Sequence, residues 1–170
     1  ANSDVKTYNG GNQSVTGFTG LPAGFTIDGV SAAGNGTNVG TYYVTFATGT
    51  VQLLDDNDVD VTNPYTIHYT NGTLEITRAS LTITANSPTV QYNKDLPSPY
   101  AYTHSALQGE DELADLSLGV VFGSTAVKGS PTGTYDITKT AGLTQTTNYN
   151  VSYEDGTLTI TTNTTDLTVS

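Results

Sequence analysis

The chain of 170 residues states nearly the same sentence twice. Tyr65-Thr66-Ile67-His68-Tyr69-Thr70-Asn71-Gly72-Thr73-Leu74-Glu75-Ile76-Thr77 returns 84 positions later as Tyr149-Asn150-Val151-Ser152-Tyr153-Glu154-Asp155-Gly156-Thr157-Leu158-Thr159-Ile160-Thr161. Ala1-Asn2-Ser3 with Tyr8-Asn9 returns at the same spacing as Ala85-Asn86-Ser87 with Tyr92-Asn93. A period of this length is too long for a solenoid unit and suits one small domain. Two modules follow, residues 1–79 and residues 80–170. Each must bury its own core, and domains of this size bury only about 60–65% of their unfolded surface.

The residues available for those cores favour strands. Hydrophobic residues make up 35% of the chain, with 11 Tyr and 4 Phe but no Trp, Met or Cys. The abundance of Thr, Gly, Val, Asn and Tyr suits strands and turns. Without Cys there is no disulfide and no thiolate metal site. The absence leans towards a Gram-positive bacterial surface, because small secreted eukaryotic domains depend on disulfides. Five Lys and Arg stand against 16 Asp and Glu, a net charge of −11. That balance argues against nucleic acid, which needs a basic footprint, and against an anionic membrane surface.

Local pattern predicts a β-hairpin in each module. Asn71-Gly72 lies between two alternating runs, and a two-residue turn there pairs Thr70 with Thr73, Tyr69 with Leu74 and Ile67 with Ile76. Asp155-Gly156 does the same, pairing Tyr153 with Leu158 and Val151 with Ile160. Both dipeptides tolerate positive φ, which is what such turns need. A second matched piece is Val39-Gly40-Thr41-Tyr42-Tyr43-Val44-Thr45 against Thr132-Gly133-Thr134-Tyr135-Asp136-Ile137-Thr138. Its wider spacing places an extra loop in each copy, before this strand in the second and after it, around 51–62, in the first. The second copy's extra stretch contains Glu110-Asp111-Glu112-Leu113-Ala114-Asp115-Leu116. Acidic residues followed by Leu113 and Leu116 predict a short helix.

The junction over 76–84 has no Gly or Pro and reads as near-continuous strand, so the link is expected to be stiff. Asp166-Leu167-Thr168-Val169-Ser170 echoes Ser80-Leu81-Thr82-Ile83-Thr84. It is expected to close the second module or to open a third. Together these signals predict a mainly β protein of two tandem β-grasp-like modules, arranged end to end. Immunoglobulin-like β-sandwiches are the alternative, separated from the first reading by whether 110–116 packs as a helix across a sheet.

Several of these stretches resemble MBG-type repeats. They are Val39-Gly40-Thr41-Tyr42 and Gly133-Thr134-Tyr135, then Asn148-Tyr149-Asn150-Val151 and Gly156-Thr157-Leu158-Thr159-Ile160-Thr161. Lys6-Thr7-Tyr8-Asn9-Gly10 and Leu21-Pro22-Ala23-Gly24 are also similar. Such repeats occur in large surface proteins of lactobacilli and related Gram-positive bacteria, often beside mucus-binding repeats. The resemblance implies an extracellular, wall-anchored adhesin, anchored through regions outside this sequence. It implies mucin or a host surface glycoprotein as partner, with a passive stalk projecting a distant binding domain as the alternative role. It carries no ligand-binding residue over to this chain, and no oligomeric state beyond a monomer is expected.

Few residues suggest chemistry. Asp56, Asp58 and Asp60 alternate like the first ligands of a calcium loop, where hard oxygens converge on one ion. The pattern lacks the Gly of the sharp turn and the Glu at the far end. A solvated acidic loop is the competing reading. No other cofactor is implied. Catalysis has little to stand on, with only His68 and His104 and no Cys. His104 beside Ser105 is not a triad, which needs spatial convergence and an orienting acid. Paired carboxylates for glycoside hydrolysis leave no sequence signature, but a small repeated module lacks the deep pocket they need. The chain is therefore not expected to be an enzyme. Tyr42, Tyr69, Tyr135 and Tyr153 fall on expected strands and default to core. Tyr43, Tyr100 and Tyr102 are the candidates for exposed rings that stack on sugars. Lys6, Lys94, Lys128 and Lys139 are the candidates for an intramolecular isopeptide crosslink.

Overall fold

Strands dominate because side chains alternate between core and solvent along most of the sequence, as in Ala79–Ala85, where every second residue is buried. The computed structural model describes residues 1–163, so the echo at 166–170 lies outside the described residues. The chain divides into two compact units, Ala1–Ala79 and a second beginning at Ser80.

The first unit holds β1 (Asp4–Thr7), β2 (Gln13–Thr16), β3 (Thr26–Gly36), β4 (Gly40–Leu54) and β5 (Gly72–Thr77). They form one mixed sheet in the order β1-β5-β4-β3-β2. The second holds β6 (Ala79–Ala85), β7 (Thr89–Gln91), β8 (Tyr102–His104), β9 (Val121–Ser124), β10 (Gly133–Ala141), β11 (Tyr149–Glu154) and β12 (Gly156–Thr161). Its strands divide into a four-stranded sheet, β7-β12-β10-β9, and a three-stranded sheet, β11-β6-β8. Val44, Leu74 and Ile76 centre the first core. Leu81, Ile83, Ile137, Tyr149 and Leu158 are fully buried in the second.

The two motifs that recur in sequence pair with each other. Gly40 lies opposite Ile76 and Tyr42 opposite Leu74 in the first unit. Gly133 lies opposite Ile160 and Tyr135 opposite Leu158 in the second. Tyr42 and Tyr135 each hand their hydroxyl back to the chain four residues upstream, to Asn38 O and Pro131 O at 2.8 and 2.9 Å. Each hydrogen bond fixes the entry to its strand. The last strand of each unit also pairs in parallel with an early one, β5 with β1 and β12 with β7.

This pairing overturns the two expected hairpins. Residues 65–70 form no strand, and β11 and β12 join different sheets. The reason lies in the glycines. Neither Gly72 nor Gly156 is among the positive-φ residues. A Cβ on Gly72 would stand 2.0 Å from Asn2 O, and one on Gly156 would stand 2.6 Å from Asn86 O. Each glycine gives clearance to a backbone from far along the chain, a demand that local alternation cannot reveal.

The expected helix is a single 3-10 turn, Leu113–Leu116, that fully buries no residue. Its acidic approach is used differently. The Tyr149 hydroxyl donates to Asp111 Oδ2 at 2.6 Å and accepts the Gln108 N–H at 2.8 Å. This fully buried ring thereby ties the 108–111 segment to the core.

Clearance and φ make different demands on a substitution. Asn tolerates positive φ, so a hairpin turn would accept Gly156→Asn. Here Gly156→Asn and Gly156→Ala should each destabilise the second unit by about 1–3 kcal/mol, the usual cost of overpacking. A chemical melt of each variant tests this. An Asn variant as stable as the parent would restore the turn.

Candidate functional site

The acidic loop folds around its own backbone. Asp55 Oδ1 accepts the N–H groups of Asn57 and Val59 at 2.9 and 3.0 Å. Asp60 Oδ1 accepts the Thr62 hydroxyl at 2.6 Å and the Thr62 N–H at 2.9 Å. Asp58 adopts a left-handed conformation, φ 58, and its N–H donates to Asp55 O at 3.0 Å. These bonds hold two carboxyls below their ordinary pKa. For Asp55 the Val59 N–H is the main cause, then Asn57. For Asp60 the Thr62 hydroxyl leads, then its N–H. Asp56 and Asp58 sit in the same turn, but no group of three His, Cys, Asp or Glu gathers as a metal would need among the described residues.

The loop predicts two responses. A carboxyl with a lowered folded pKa stabilises the folded form above its unfolded value and loses that effect as pH falls through the folded value. Amide exchange of Asn57, Val59 and Thr62 should therefore accelerate as pH falls below the ordinary value of 3.8, with other amides as reference for the intrinsic rate. Because these hydrogen bonds already shape the loop, ~10 mM calcium, above the ~10⁻⁴–10⁻³ M range of extracellular sites, should leave the first unit's melting temperature unchanged. A rise that Asp58→Ala removes would show that Asp56, Asp58 and Asp60 regather around the ion.

Aromatic exposure does not follow the sequence expectation throughout. Tyr43 is 72% exposed on β4. It faces solvent beside Thr73 of β5, with Thr41 and Glu75 opposite each other in the next row on that face. Tyr102 is exposed as expected, whereas Tyr100 is half-buried. Tyr69, expected in the core, is 40% exposed, and Tyr65 is 51% exposed. Tyr153 is half-buried, its hydroxyl donating to Leu143 O at 2.6 Å. Burial, then the neighbouring Tyr102, pushes its hydroxyl pKa up.

Tyr65 and Tyr69 wall an apolar groove of ≈ 280 Å³ in the first unit, completed by Phe18, Phe25, Phe46 and Ile67. Their rings meet in a run of three and a separate pair. Phe18 lies 5.6 Å from Phe46, Phe46 4.9 Å from Tyr69, and Phe25 5.8 Å from Tyr65, centroid to centroid. His68 also lines the groove, with no carboxylate or second histidine among the lining residues. Sequence reasoning placed these tyrosines on a hairpin face and so missed the groove. His104 stands elsewhere, its Nδ1 2.8 Å from Ser105 O.

Three candidate crosslinking lysines have other partners. Lys6 Nζ donates to Ser14 O at 2.7 Å, and Lys128 Nζ to Asp95 Oδ1 at 2.9 Å. Lys139 Nζ lies 4.5 Å from the centre of the Tyr153 ring. Lys94 is exposed.

Residues 81–159 match the family model of the MBG domain, YGX type. No curated protein and no solved structure matches the chain. The matched segment begins within β6 and ends within β12, so it spans both sheets of the second unit. MBG domains are repeats of surface adhesin proteins. Residues 81–159 are similar to that family.

Proposed function

We propose that the chain is a repeat segment of a bacterial cell-surface adhesin that binds mucin glycans or a host glycoprotein through neutral contacts. The MBG domain at 81–159 and the repeated sequence support the surface setting. The single observation behind the contact mode is Tyr43, 72% exposed on a sheet face beside Thr73, with Thr41 and Glu75 in the next row. An exposed ring on a rigid strand presents a stacking surface at little ordering cost. Charge excludes a simpler mode. Mucins carry sialic acid and sulfate, and a chain of net charge −11 is repelled by them over about one Debye length, ~8 Å in physiological salt. The β-grasp-like reading is supported by the parallel pairing of β1 with β5.

Mucin binding measured against salt at pH 7 tests the proposal. Binding should strengthen as salt screens the repulsion. Tyr43→Ala should weaken it roughly five- to tenfold, the scale of about 1 kcal/mol for one aromatic contact. Loss of binding with rising salt would overturn the neutral mode. Absence of binding under every condition would leave the passive stalk.

A further inference from the structure

In the second unit β6 runs between β11 and β8. It buries Leu81 and Ile83 completely. The first unit has the counterparts of both flanking segments and, among the described residues, no strand between them. Backbone contacts fix the correspondence. The Asn86 N–H donates to Ala101 O at 2.9 Å, just before β8, and the Asn2 N–H donates to Gly17 O at 3.0 Å, just before Phe18. On the other side Thr84 Oγ1 donates to Glu154 at 2.9 Å. The Ala1 ammonium donates to Thr70 O, and Thr70 holds the place of Glu154 in the repeat. Ala1-Asn2 therefore enters the first unit between the same two segments as Ala85-Asn86 enters the second.

Beyond Ala1, where β6 would lie, the first unit has the apolar groove. Phe18 and Leu21 form one wall, and Tyr65, Ile67 and Tyr69 the other. Burial records the difference. Tyr149 is 0% exposed against β6, whereas its counterpart Tyr65 is 51% exposed. Residues 65–70 alternate as β11 does but adopt no strand. A segment with strand chemistry is left without the partner that makes it a strand.

We propose that this groove is an acceptor for an extended strand of the Ser80–Ala85 pattern, apolar at every second residue and otherwise neutral. The strand enters at the Ala1 mouth. It pairs with 65–70 on one side and 18–20 on the other, and its apolar residues cover Phe46, Ile67 and Tyr69. Strand addition draws specificity from alternate side-chain pockets and affinity from backbone bonds. The family match points the same way, since the repeat it defines opens inside β6, at residue 81. The inference goes beyond the adhesin reading and holds for adhesin or stalk.

The test extends the full chain by copying Ser80-Leu81-Thr82-Ile83-Thr84 directly ahead of Ala1, which then takes the place of Ala85. Hydrogen exchange should show protection of amides 65–70 rising at least about tenfold, while β11 is unchanged. The same extension with Leu81→Asp and Ile83→Asp made in the copy should give no rise. In case the extended chain folds poorly, a free peptide of Ala79–Ala85 added to the unextended chain should protect 65–70 saturably. Equal protection with the charged and apolar extensions would overturn the proposal. So would a peptide without effect, or stronger protection of 65–70 by mucin oligosaccharides than by either strand. Mucin binding through Tyr43 is read separately and stands or falls independently.

Discussion

The contact on which each unit depends joins residues about seventy apart. Ser3 Oγ accepts the Thr73 N–H at 3.0 Å, and Ser87 Oγ accepts the Thr157 N–H at 3.0 Å. Gly72 and Gly156 let Asn2 and Asn86 come against the start of the last strand. At the other end, the Tyr8 N–H reaches Thr77 O at 2.8 Å and the Tyr92 N–H reaches Thr161 O at 2.7 Å. Each early strand is thus clamped to the last strand at both ends. The middle of each unit, including the loops of differing length, hangs within that closure. Closing so long a segment costs entropy before any contact repays it. Once closed, insertions between the clamped ends add little further cost, because the loop term grows only slowly with length. That explains how two copies with different insertions keep one register.

The same clamp explains what the sequence showed and what it hid. Every residue of the clamp stands in the repeated motifs, so its importance was visible as repetition. Its geometry was not. Asn71-Gly72 and Asp155-Gly156 read as turns because local chemistry cannot distinguish a glycine kept for φ from one kept for clearance. The strand character of 72–77 and 156–161 was legible, whereas their pairing was not. Their partners, Gly40–Val44 and Gly133–Ile137, were found as a second match but not connected to the first. The helix at 110–116 failed for a related reason. Its acidic residues looked like a helix start, yet Asp111 is spent on the hydroxyl of Tyr149, far along the chain.

Charge does not organise this fold. The ion pairs Lys6–Asp4 and Lys128–Asp95 lie at the surface, and such pairs contribute little. The acidic loop is held by backbone donors, which use carboxylates as turn-formers. The net charge of −11 is therefore free to act outward, against any polyanion the protein meets. Under the proposed adhesive role, binding a polyanion would call for neutral contacts, and the exposed rings are the candidates for them.

Tyr65 and Tyr149 show that burial here is decided by the neighbour and not by the residue. The two occupy the same place in the repeat. Tyr149 meets β6 and becomes the fully buried anchor of its unit, while Tyr65 meets no such strand and opens to solvent. Residues 65–70 and 149–154 share their alternation, yet strand forms only where a partner offers hydrogen bonds and an apolar face. In the second unit the strand that ends at Ala85 is as much a part of the fold as the clamp that follows it, and the family match begins within that strand, at residue 81. Strand character along 65–70 is thus a property of the sequence that only a neighbouring strand turns into structure.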